Sequence, residues 1–204
     1  MVGTGPSLQQ QLPLLKHLSN EDTFGCNSLI LWKDLPFRPT FYGYGESPWH
    51  TIERLSALVS NSTNFQFHVW PYEMQQLPRS VTWVNVVSRR TSITEHGFVG
   101  LNDKFAPLHF GYTSPLTLAQ IAAWIGYQEI YFLGIDLTAV GQLYDPSFDR
   151  VGRASQSVIL HNFERATADM KACGRSMYDC TPDGPLSSNG ILEHVELSTL
   201  FEGE

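Results

Sequence analysis

The residues best suited to chemistry lie almost at the first position of the chain, in Gly3-Thr4-Gly5-Pro6-Ser7-Leu8. Glycines tolerate positive φ and leave no Cβ between backbone and ligand. Pro6 stiffens the exit, and Ser7 is placed to cap a helix beginning at Leu8. A helix start offers unpaired N–H groups and the positive end of a dipole, a seat for a phosphate or for the sugar edge of a nucleotide. No Gly-Lys-Ser/Thr follows, so this is not a phosphate-binding P-loop, and Leu8 stands where a dinucleotide fingerprint needs its third glycine. The alternative is a tight strand-to-helix turn that binds nothing. Asp136, after Gly134-Ile135, either touches ribose or substrate or accepts backbone N–H bonds and fixes its loop. Asp136, Asp145 and Asp149 form the one acidic set that suggests Mg²⁺, without an Asp-x-Asp pair to support it. Cys180 has no activating base beside it and reads as a core thiol.

These residues need a frame to hold them. Leu8, Leu12, Leu15 and Leu18 recur near helical spacing, with Pro13 kinking or dividing the helix. Strands are predicted over 22–26, ending at Asn27, and over 40–42, leading into Gly43-Tyr44-Gly45. Ile52, Leu55, Leu58 and Val59 mark one helix face, residues 65–70 and 81–87 read as strands, and 88–110 forms an irregular excursion or lid. Thr113 or Ser114 then caps a helix with Pro115 at its first turn; Leu118, Ile121, Ala122 and Ile125 face inward, and Gly126 ends it. A strand over 129–133 opens at Gly134-Ile135-Asp136. The same grammar recurs with a helix lined by Phe163, Ala166, Met170 and Cys173, a stop at Gly174 and a strand over 176–180. Such alternation predicts an α/β fold, a Rossmann-like parallel sheet with helices on both faces, as a single domain over 1–204. Ligands in such sheets sit beyond the carboxyl ends of the strands, which here carry Asn27, Gly43, Asp136 and Thr181. Only Met1 and Val2 precede the glycine loop, so the first strand is either very short or begins upstream of this sequence.

Composition narrows the partners. The chain has 204 residues, 42% hydrophobic and 16% charged, enough for a good-sized core. Its net charge of −7 argues against a nucleic-acid surface. No apolar run approaches the roughly 18 residues of a membrane span, and no signal peptide precedes the glycine loop. The three cysteines lack metal-ligand spacing and read as reduced thiols of a cytoplasmic protein. A homo-oligomer is compatible with all of this.

With the glycine loop, Phe24-Gly25-Cys26-Asn27 and the run Gly126-Tyr127-Gln128-Glu129-Ile130-Tyr131-Phe132-Leu133-Gly134-Ile135-Asp136 in view, the chain resembles the bacterial family 42 sialyltransferases. Their relatives include the motility accessory factors and the archaeal hydroxymethylpterin diphosphokinase. The closing Tyr178-Asp179-Cys180-Thr181-Pro182 is similar to the group's last strand, and the resemblance is weakest over 47–110. It implies that Gly3, Thr4, Gly5, Pro6, Ser7 and Asn27 hold a cytidine monophosphate sugar donor, with Thr4 at a position usually held by asparagine. It implies that Thr113 and Ser114 contact the donor from a helix start, with Gly111 where the family has an arginine. Of two tyrosines that steady the departing phosphate, Tyr144 matches the second and Thr138 occupies the first. His161 lies in the region of the family's general base, offset by a few residues. The two departures weigh more on sugar transfer than on nucleotide binding.

The implied chemistry is coherent. A sugar hydroxyl must lose a proton as it attacks, and a histidine of near-neutral pKa suits that task. Tyr144 would stabilise charge on the leaving phosphate without a metal. The alternative for His161 is a surface or helix-capping residue. Three functions follow: a metal-independent glycosyltransferase that needs no cofactor beyond its nucleotide-sugar substrate, a Mg²⁺-dependent diphosphotransferase, or a nucleotide-binding module without catalysis.

Overall fold

The sheet is assembled around the first three residues. In the computed structural model, Val2 bridges Gly25 on one side and Leu133 on the other, both in parallel. The Met1 ammonium donates to the Tyr131 carbonyl at 2.7 Å, and Leu133 N–H donates back to the Met1 carbonyl at 2.9 Å. Val2 N–H reaches Phe24 O, and Gly3 N–H reaches Leu133 O, each at 2.8 Å. Val2 thus sits centrally, between the two halves of the sheet. The structure describes residues 1–44, 65–68, 81–83, 86–87, 108–109, 111–137, 140–142, 145–149 and 156–202.

On one side of Val2 lie β1 (Phe24–Cys26), β2 (Phe41–Tyr44), β3 (Phe65–His68) and β4 (Val81–Trp83), each parallel to the next. Two short strands, β5 (Val86–Val87) and β6 (Leu108–His109), form a separate parallel pair. The expected strand over 81–87 is thus split, its halves pairing with different partners. On the other side of Val2 come β7 (Glu129–Phe132), then β10 (Ser176–Asp179), then β11 (Glu193–His194), again parallel. Between β7 and β10 in the chain, β8 (Val140–Gln142) and β9 (Asp145–Asp149) pair antiparallel, an element that the alternating pattern did not foretell.

Side chains alternate across a pleated strand, so each strand feeds two layers. Met1, Phe24, Phe41, Ile130, Phe132 and Met177 point into one cluster. There they meet α2 (Ser114–Ile125) and α3 (Gln156–Ala172), through Leu118, Ala122, Phe163 and Met170. Val2, Tyr42, Leu133 and Cys180 point into the other cluster, against Leu8, Leu15, Leu29 and Leu197. That second layer is made of α1 (Leu8–Gln11) and 3₁₀ turns at Leu15–Asn20, Asn27–Leu31 and Leu197–Phe201. A last short helix, α4 (Pro185–Ser188), seats Leu186 in the first cluster. Helices on both faces of parallel strands make an α/β architecture.

Pro13 does divide the leucine stripe, leaving a single α-helical turn before it and a 3₁₀ turn after it. α2 matches expectation at its ends, with Thr113 as N-cap, Pro115 in the first turn and Gly126 closing it at φ +124°, but Ile125, expected to face inward, is exposed in the last turn. Gly43 differs, being the third residue of β2, paired with Cys26 and Phe67, where a loop was expected. The helix expected over 52–59 and nearly all of the excursion over 88–110 lie outside the described residues. Among the described residues, no helix is long and apolar enough to cross a membrane.

Candidate functional site

Chain order along the sheet reverses at Val2, with β1 to β4 running outward on one side and β7, β10 and β11 on the other. Two adjacent parallel strands whose loops depart in opposite directions leave a crevice at their carboxyl ends. Here those loops are Gly3–Ser7 and Gly134–Asp136, and they pack directly on each other. A Cβ on Gly3 would collide with the Gly134 carbonyl oxygen and come within 2.7 Å of the Ile135 Cδ1. A Cβ on Gly5 would overlap the Asp136 carboxylate. Gly134 takes φ +64° with the Leu8 side chain 2.6 Å from where its Cβ would be. The glycines are required by loop-on-loop contact.

Asp136 joins the two loops. Ser7 Oγ donates to Asp136 Oδ2 at 2.7 Å, and Ser7 N–H donates to Oδ1 at 3.2 Å. Burial pushes the Asp136 carboxyl above the usual range, while the two Ser7 bonds pull it back down. Ser7 is not the expected cap. Its backbone is already helical at φ −59°, ψ −26°, and its hydroxyl is spent on Asp136.

That geometry corrects the phosphate seat. The N–H groups of Gly3, Gly5, Ser7 and Leu8 bond to Leu133 O, Gly134 O, Asp136 and Gly5 O respectively. α1 has only four residues, so its dipole is small. A carboxylate beside the loop would repel a phosphate and accept hydrogen bonds from hydroxyls. Thr4 and Ser7 are buried, and Pro6 is exposed at the loop's tip.

A second pair closes the crevice. Val2 pairs in parallel with Gly25, so the Gly3–Ser7 loop and Asn27 both follow neighbouring strands at the same edge of the sheet. Asn27 takes left-handed backbone, φ 49°, and its Oδ1 accepts a hydrogen bond from Ser114 Oγ at 3.1 Å. Residues 87 positions apart in sequence thus meet where the β1 exit and the α2 start converge. Thr113 is extended at φ −149° and makes no side-chain cap bond. The turn before it has positive φ at Gly111 (57°) and Tyr112 (61°), and the buried Asn162 Nδ2 donates to the Gly111 carbonyl at 3.2 Å. Gly111 is therefore a turn residue.

Several expected positions are placed differently. Gly43 is explained by packing, since a Cβ there would run into the Leu118 side chain of α2. His161 does not precede its helix. It lies within α3, exposed, with Nδ1 3.5 Å from Glu164 Oε2. Within α3, Ile159, Phe163, Ala166 and Met170 form one continuous buried stripe, which leaves His161 on the outer face. Tyr144 and Thr138 lie outside the described residues. Asp145 and Asp149 are the end residues of β9. Among the described residues, no three His, Cys, Asp or Glu side chains gather closely enough to hold a metal ion.

Two contributors were missed in the sequence. Asp179 is fully buried, its Oδ1 accepting from Thr181 N–H at 2.9 Å and its Oδ2 from Ser187 N–H at 3.0 Å. Thr181 Oγ1 in turn accepts from Ile135 N–H at 3.2 Å, steadying the Asp136 loop. The spacing Asp179-x-Thr181 before Pro182 is an Asx-turn signal and was legible. Tyr42, whose hydroxyl donates to the Asn27 carbonyl at 2.6 Å, carried no such signal. Cys180 is a core thiol, as expected, and burial pushes it up to about 12. A cavity of about 290 Å³ opens at the opposite, amino edge of the sheet, between Asp22, Phe24, Tyr127, Ile130 and Tyr131. Its lining includes Val2 and Leu133, but none of Gly3, Gly5, Ser7, Asn27, Ser114 or Asp136.

No family model matches the chain, and no curated protein matches it. Among solved structures, the chain is similar to the sialyltransferase CstII from Campylobacter jejuni, determined in complex with a substrate analogue, cytidine-5'-monophosphate. The identity is 18%, the match covers 96% of this chain and 84% of that one, and the TM-score is 0.51. At that identity the similarity is one of fold.

Proposed function

We propose that this chain is a single Rossmann-like domain that binds a cytidine nucleotide across the crevice at Val2, as a glycosyltransferase-like protein using a CMP-activated sugar donor without a metal. The observation that carries the reading is the Ser114–Asn27 side-chain bond, which joins the β1 exit to the α2 start at the sheet edge where the glycine loop meets Asp136. Similarity of fold to a sialyltransferase solved with CMP supports the choice of nucleotide. In this reading Asp136 and the glycine loop face the sugar hydroxyls, and Asn27, Thr113 and Ser114 face the rest of the nucleotide. Tyr144 remains the candidate for the leaving phosphate. His161 is the weaker candidate for a base, because its Glu164-paired ring lies on the outer face of α3.

Titration calorimetry with CMP, and with adenosine nucleotides plus Mg²⁺, tests the proposal. CMP should bind at one site without metal, and Asn27→Ala should weaken it roughly tenfold, the worth of one or two hydrogen bonds. His161→Ala should leave CMP affinity unchanged. Binding of adenosine nucleotides with Mg²⁺, and not of CMP, would replace the proposal with the diphosphotransferase reading.

A further inference from the structure

Asn27 holds an uncommon conformation at the centre of the crevice, and one buried side chain is built around it. Left-handed backbone is unfavourable for residues other than glycine, though asparagine adopts it more readily than most. Tyr42 lies on β2 with its ring almost wholly buried, in parallel register with Gly25 of β1. Its hydroxyl donates to the Asn27 carbonyl at 2.6 Å and accepts from Ile30 N–H at 2.9 Å. One phenol therefore pins both ends of the turn that Asn27 begins. Gly25 makes room for it, since a Cβ there would come within 2.9 Å of the Tyr42 Cε2.

We propose that Tyr42 is a positioning residue of the nucleotide crevice, its hydroxyl fixing the left-handed turn that presents the Asn27 side chain to the ligand beside Ser114. The proposal rests on the nucleotide reading above. Tyr42 itself lies beneath the turn, in the second core layer with Leu29 and Leu133. It acts through Asn27, whose backbone it holds at one end while Ser114 Oγ holds the carboxamide at the other. Strain concentrated at a site and restrained by a dedicated contact is a way of pre-organising that site.

Tyr42→Phe keeps the ring and removes one oxygen. Asn27 and Ile30 are only partly buried residues, so water near the turn can replace the lost bonds and the melting temperature should change little. CMP affinity, by calorimetry, should fall roughly tenfold. In an Asn27→Ala background the same substitution should have no effect on affinity, because the side chain it positions is gone. No loss of affinity in the Asn27-containing protein, or an equal loss in both backgrounds, would overturn the role. If the parent protein binds no CMP, the nucleotide reading fails, and amide hydrogen exchange of the ligand-free protein decides the positioning role separately. Faster exchange across 27–31 in Tyr42→Phe would support it, and unchanged exchange would overturn it.

Discussion

At Gly5 the missing Cβ determines whether Asp136 can occupy its place between the two loops. Gly5→Ala should destabilise the protein by about 1–3 kcal/mol through overpacking, read as a lower urea midpoint with an unchanged slope. The same substitution should weaken CMP binding, since the carboxylate must move. Asp136 also has a pH signature. Its folded pKa is raised above the ordinary 3.8, so its contribution to stability is fully present below that pH and is lost as pH rises through the folded value. Urea midpoints of the parent chain relative to Asp136→Asn should therefore fall as pH is raised from about 3.5 toward neutrality. A difference that stays flat with pH would contradict the assigned burial. The need for glycine at 3 and 5 was legible from spacing, but its cause was not. Spacing suggested room for a ligand, whereas the space is filled by a loop 129 residues away, and no local pattern encodes such a contact. Asp136 was legible as a loop-fixing residue because Gly-Ile-Asp ends an apolar strand.

Among the elements, α2 and α3 bear most directly on the crevice. Both run from the carboxyl to the amino edge, so their first turns lie at the ligand side of the sheet. Phe163 of α3 is fully buried and meets Phe132 edge-on, with ring centroids 5.3 Å apart and planes at 81°. Phe163→Ala should cost about 3–5 kcal/mol in a denaturant titration, the range for emptying a phenylalanine site in a packed core. A cost below about 1 kcal/mol would mean that α3 is not seated as described. The helices were legible where their punctuation is strong, at Thr113-Ser114-Pro115 and at Gly126 and Gly174. The start of α3 was not, because Val158, Ile159 and Leu160 are consecutive and show no helical period ahead of Phe163. That misplaced boundary put His161 in a loop when it belongs on a helix surface. Gly43 was misread for the opposite reason. Glycine usually signals a turn, but here close approach of Leu118 demands it inside a strand.

For the whole molecule, the strand order sets the glycine loop, Asn27 and Asp136 at the carboxyl edge, the proposed nucleotide side, while the cavity beside Asp22 and Tyr127 lies at the amino edge. Parallel pairing and the two-layer core followed from the helix–glycine–strand alternation. The reversal at Val2 did not, because a single bridging residue leaves no sequence pattern and owes its place to its two neighbours. The most direct test is a map of amide chemical shifts as CMP is added to the isotopically labelled protein. The account predicts the largest perturbations at Gly3–Ser7, Asn27, Thr113–Ser114 and Gly134–Asp136, with little change around the amino-edge cavity. Perturbations centred on Asp22–Phe24 and Tyr127–Tyr131, with the glycine loop unmoved, would contradict it.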